Sequence, residues 1–183
     1  MRTLACMVLT AAAIAQTEKI RNDRVIVTEI RLAPGEARLI RGDLPSVVVY
    51  PSGDAVFEAA RAFPVKGGAS GEAKLVRIEF PGPGLDETWG TTGLPPNYKL
   101  LIENRYARVY DIRIPAGTKE PLHTHHDRVV VCLSGAKLEH LMPDGRVEPS
   151  TLATGEIAWR RGGTHIGHNL GKTDLWVIAV EPK

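Results

Sequence analysis

Two stretches of this chain are copies of one another. RVIVTEIRLAPGE, starting at Arg24, is matched by ARVYDIRIPAGTK, starting at Ala107. The register holds beyond the turn. Eighteen residues after Gly35 comes Gly53, closing Val47-Val48-Val49-Tyr50-Pro51-Ser52-Gly53. Eighteen residues after Gly117 comes Gly135, closing Val129-Val130-Val131-Cys132-Leu133-Ser134-Gly135. A strand-turn-strand unit used twice at one spacing implies duplication, and duplicated strand-rich units imply stacked or fused β-modules.

The local patterns agree with an all-β fold. Apolar and polar residues alternate with a period of two from Arg24 to Leu32 and from Arg108 to Ile114, and turns follow at Ala33-Pro34-Gly35 and Pro115-Ala116-Gly117. Helix-period stretches are scarce, and the 18 glycines and 13 prolines suit short strands and many turns. The copies diverge after their VVV strands. In the first, Asp54 to Phe63 predicts a short helix, followed by a glycine-rich stretch and a closing strand from Leu75 to Phe80. The second continues through the turn Pro143-Asp144-Gly145 to two more strands. Residues 81–96 are dense in Pro and Gly without a period, which predicts a linker or long surface loop. The expected division is a leader over 1–15, a shorter β unit over 16–80, the linker over 81–96, and the complete barrel over 97–183.

The apolar run Leu4 to Ile14 follows Arg2 and ends in Ala13-Ile14-Ala15. This predicts a secretory signal cleaved after Ala15, and thus a secreted or periplasmic protein. The run is too short for a permanent membrane span. Cys6 would leave with the leader, so Cys132 would be the single mature cysteine, with no internal disulfide; its default role is a small buried hydrophobe. A formal charge of +2 gives no strong field toward nucleic acid or a membrane surface.

All six histidines lie in the second copy. His123 and His125 are two apart beside a strand-forming run, so alternation puts both on one face, which in a barrel is the interior. His165 follows the turn-forming Gly162-Gly163. Three converging neutral imidazoles would leave open positions on a divalent ion, as catalysis requires. His140 is expected to face solvent, and His168 is expected at the surface or as a partner of a ligand. Tyr110, Arg128 and Arg161 are candidates for orienting a substrate. In the first copy Arg41 and Asp43 replace the His pair, and no histidine precedes position 123. That copy cannot form such a site; a surface salt bridge is the expected role of Arg41 and Asp43.

These residues carry a resemblance. Gly117-TKEPL-His123-Thr-His125-HDRVVVCLS-Gly135 and Gly155-EIAWRRGGT-His165-IGH-Asn169 resemble the two motifs of the cupin superfamily over residues 97–183, with a degenerate echo over 24–80. The resemblance implies a jelly-roll β-barrel with a metal at His123, His125 and His165. The chain departs from the pattern in three ways. The motif glutamate is replaced by Arg128 or Val129, the second-motif proline by Arg161, and one spacing is a residue short. Asp127 is a candidate substitute oxygen ligand.

What remains resembles three-histidine cupins, including those related to thiol and diketone dioxygenases. That implies one divalent metal ion, Fe favoured with Zn, Mn or Ni as alternatives, and a mononuclear dioxygenase acting on a small chelating substrate. A non-redox metal isomerase or lyase, and a non-catalytic small-ligand module, are the alternatives. Pairing of two copies through an edge strand fits small cupins. No nucleophilic triad, phosphate-binding glycine loop or basic aromatic patch is present, which leaves hydrolase, nucleotide-binding and nucleic-acid readings without support.

Overall fold

A computed structural model describes residues 16–90 and 93–183. The expected leader lies outside the described residues. All regular structure there is β, as expected. The first half contains β1 (Gln16–Arg21), β2 (Ile26–Leu32), β3 (Ala37–Ile40), β4 (Ser46–Val49), β5 (Ala55–Glu58), β6 (Phe63–Lys66) and β7 (Ala73–Glu79). The second contains β8 (Tyr98–Glu103), β9 (Ala107–Ile114), β10 (His123–His125), β11 (Arg128–Ser134), β12 (Ala136–Leu141), β13 (Val147–Leu152), β14 (Ile157–Arg160), β15 (Gly163–Asn169) and β16 (Leu175–Pro182).

The duplication is visible in the topology. One five-stranded antiparallel sheet runs β1-β2-β7-β4-β5, and the other runs β8-β9-β16-β11-β14 in the equivalent order. Each copy also has a small sheet, β3-β6 in the first and β10-β15-β12-β13 in the second. The β12–β13 hairpin has no counterpart in the first copy's small sheet. The short helix expected over Asp54–Phe63 is not formed. Ala55–Glu58 instead pairs with Ser46–Val49 as β5, and Phe63 opens β6. Val56 and Phe57 suit a strand, and the edge of β4 offers backbone partners that a lone helical turn lacks.

The two large sheets pack face to face. Val47, Val49, Val76 and Ile78 of the first copy share a core with Val129, Val131, Ile178 and Val180 of the second. The intervening residues point the other way, into each copy's own barrel: Val48 and Leu75 in the first, Val130, Cys132, Val177 and Ala179 in the second. Both VVV runs are therefore buried on both faces, which explains continuous apolar residues where half-buried strands would alternate. Gly53 shows how tightly the copies fit. It sits at φ +86°, and a Cβ there would lie 2.3 Å from the Trp176 ring of the other copy.

The two barrels differ inside. At the register position where the second copy has Ala179, opposite Val130, the first has Arg77, opposite Val48. The Arg77 guanidinium lies 5.5 Å over the Phe63 ring and donates to the Ser46 hydroxyl and the Arg41 carbonyl, with Glu79 2.9 Å away. Arg41 and Asp43 are both exposed just beyond β3. The expected salt bridge does not form between them; the Arg41 carbonyl accepts from Arg77.

Candidate metal centre

β10 is only three residues long and pairs with β15 so that His123 stands directly opposite His165, Thr124 opposite Thr164, and His125 opposite Gly163. Strand alternation then aims all three imidazoles at one face. Their donor nitrogens lie within 4.8 Å of one another, with His123 and His125 buried. The Nε2 atoms of His123 and His125 are 3.0 Å apart, and their rings are nearly perpendicular at 86°.

The outer nitrogens are committed elsewhere. Nδ1 of His123 is 2.8 Å from the Pro121 carbonyl, which can only accept, so Nδ1 carries the proton. Nδ1 of His125 faces the Glu181 carboxylate at 3.7 Å, which favours the same tautomer. Glu181 is fully buried, and Arg108 grips it at 2.6 and 2.8 Å while the His126 amide donates to it at 3.2 Å. Burial alone would raise the Glu181 pKa, but His125 and Arg108 outweigh it and hold the carboxylate below its ordinary value. Burial lowers His125 to about 4 and, with the neighbouring imidazoles, His165 to about 3. Both are neutral at physiological pH, the form that binds metal.

The His125 and His165 imidazoles line a cavity of about 60 Å³. Its floor is apolar, formed by Ile112, Ile114, Leu138, Leu152, Leu175 and Val177, and its polar groups are Tyr98, Glu120, Arg128, His140, Ser150 and Arg160.

Solved structures share this architecture. AerE from Microcystis aeruginosa is 13% identical over 93% of this chain and 98% of its own, with a TM-score of 0.63. A cupin 2 conserved barrel domain protein from Leptotrichia buccalis is 12% identical over 97% and 92%, with a TM-score of 0.56. Oxalate decarboxylase from Lactobacillus farciminis, as its formate complex, is 10% identical over 95% and 88%, also with a TM-score of 0.56. The fold is that of the cupins. At these identities the likeness covers the fold alone. No family model and no curated protein matches the sequence.

Relative to the cupin motifs, the residues fall out as follows. Arg128, in place of the motif glutamate, lines the cavity. Its own partners are two backbone carbonyls at 3.4 Å, those of His126 and Arg161, with no carboxylate at ion-pair distance. Burial lowers its pKa. Asp127 is not placed as a ligand: its carboxylate accepts from the Gly162 amide at 2.6 Å and meets Arg161 at 3.7 Å, clamping the turn before His165. Arg161 itself has an 86% exposed side chain and does not line the cavity. Tyr110 donates to the Gly90 carbonyl and packs edge-on beneath Tyr98. His168 is turned away from His165 by strand alternation and pairs with Glu139 at 2.8 Å. His126 stacks on Trp89 at 3.8 Å, so the expected linker is strapped against the second barrel.

His140 corrects the expectation of a solvent-facing residue. β12 pairs with β15 so that His140 sits opposite Gly167, and its ring lies 4.4 Å from that of His165. The alternation Ala136, Leu138, His140 carried that signal, since the first two residues are buried in the barrel. Sequence reasoning also passed over Glu120 and Tyr98. Glu120 is buried, 3.9 Å from His123 Nε2, and hydrogen-bonded to Asn97 at 3.0 Å. Gly167 makes its place: a Cβ there would lie 2.4 Å from the carboxylate oxygen. Burial raises the Glu120 pKa.

Proposed function

We propose that this chain is a mononuclear metal-dependent dioxygenase with the cupin fold, acting on a small anionic chelating substrate, with Fe favoured and His123, His125 and His165 as ligands. One observation carries the metal. With both Nδ1 protons turned outward, two Nε2 lone pairs face each other at 3.0 Å in a buried site. The Tyr98 hydroxyl, 3.2 and 3.1 Å from them, can donate to only one, so the pair repels unless an electropositive centre lies between them, and donors bound at right angles about 2.1 Å from one ion stand about 3.0 Å apart. The ion would supply the site for O₂ and for the substrate's two donor atoms.

The chain's own residues favour an anion. Three neutral imidazoles add no negative charge, Arg128 brings a positive one into the same cavity, and burial pushes the Glu120 carboxyl there toward its neutral form. The cavity's size admits only a few heavy atoms, and its aliphatic floor excludes water from one side of the ligand. Arg128 would orient the substrate's anionic group.

Glu120 favours a second reading. A buried carboxylate beside the imidazoles suits proton transfer, the core of a non-redox isomerase or lyase. Metal analysis of natively purified protein, followed by O₂ uptake with small chelating acids, tests both. One Fe per chain and O₂ consumption are expected, with both lost in His123→Ala combined with His165→Ala. Turnover that persists anaerobically would support the second reading. Metal well below one per chain after metal-replete expression would end both. For localisation we propose export with cleavage after Ala15; a mature N-terminus at Gln16 would support it.

A further inference from the structure

The fourth position left vacant by the missing motif glutamate has a donor from outside the motifs. Tyr98 opens β8, 25 and 27 residues ahead of the histidine pair. Its hydroxyl oxygen is 3.2 Å from His123 Nε2 and 3.1 Å from His125 Nε2, and those two nitrogens are 3.0 Å apart. The three atoms form a nearly equilateral triangle whose edges match adjacent donors on a single ion. The hydroxyl meets Glu120 as well as both imidazoles, and its single proton leaves at least one of the two bare nitrogens unserved.

The ring is held in place. Tyr98 pairs with Ile112 of β9 and packs edge-on to Tyr110 at 5.9 Å and to His123 at 5.5 Å. The preceding Asn97 donates to the Arg113 carbonyl and to Glu120. In the first copy the equivalent position, paired with Ile30, is Gln16, which is exposed.

We propose that Tyr98 is a fourth protein ligand of the metal in the substrate-free protein, through its phenolic oxygen, and gives up that place when a chelating substrate binds. The inference rests on the three-histidine reading. On ligation the oxygen forms a bond to the ion and its proton leaves to solvent. The three neutral imidazoles are thereby joined by the single negative charge that a glutamate would otherwise have given.

The test uses the mature protein loaded with ferrous iron and oxidised to the ferric form. The wild type should show a visible phenolate-to-iron charge-transfer band with the matching phenolate modes in resonance Raman. Tyr98→Phe should fold, as judged by circular dichroism and melting. It should lose the band and bind iron on the order of 10–100-fold more weakly. Iron bound by the wild type at one per chain with no phenolate signature, or equal affinity in Tyr98→Phe, would overturn this ligand and leave the three histidines standing. A wild type that binds no metal would overturn both. Should Tyr98→Phe be unstable, the wild-type spectrum alone decides.

Discussion

At the scale of single residues, the site is governed by groups that do not themselves face the cavity. Glu181 is the clearest. It sets the His125 tautomer and neutralises Arg108 in the interior. Glu181→Gln leaves a buried guanidinium without its counter-charge, so a loss of roughly 3–5 kcal/mol in unfolding free energy is expected, read by urea denaturation. The titrating residues also fix a pH dependence for the metal-free protein. His125 and His165 have folded pKa values below the free value, so the unfolded chain takes up protons first and stability falls as pH drops from about 6.5 toward 4. Glu181, also lowered, acts in the same sense. Glu120, raised, opposes them: its contribution is present at low pH and fades as pH rises through its folded value. His140, lowered chiefly by burial, acts with them, so with four groups against one the urea midpoint should decline from pH 7 to pH 4. A flat profile would mean the imidazoles are already hydrated.

At the scale of elements, much was legible and the failures have physical causes. The period-two pattern marked β2 and β9, and the His-x-His spacing gave a shared face because strands alternate. His165 lies far along the chain, and only the glycine turn before it hinted that β15 returns beside β10. Tyr98 and Glu120 were hidden for a different reason. Their place depends on which strand pairs with which and in what register, and a period of two says only that a side chain lies on one face or the other. The helix expected over Asp54–Phe63 failed because tertiary pairing with β4 outweighed local preference. Between β10 and β15, the small residue at Gly167 is what admits Glu120. Gly167→Ala should push that carboxylate off its place and cost about 1–3 kcal/mol by overpacking, measured by chemical denaturation.

At the scale of the whole molecule, the two copies divide the work. The first carries the Arg77 side chain inside, and the second keeps a cavity where Ala179 takes the equivalent place. The core between the sheets ties them into one unit. Ile178, fully buried at that junction, should lose about 2–5 kcal/mol on substitution by Ala, in a single cooperative transition that unfolds both copies together. Two separated transitions would show that the copies are independent.

The segment joining the copies extends this coupling. The Gly90 carbonyl accepts from Arg108 at 2.7 Å, Arg108 holds Glu181, and Glu181 faces His125. A change of loop length between the halves would thus be felt at an imidazole through two side chains. Variation in a stretch that touches neither ligand nor cavity becomes a way to retune ligand basicity, so related sequences with identical histidines need not hold their ion with equal strength.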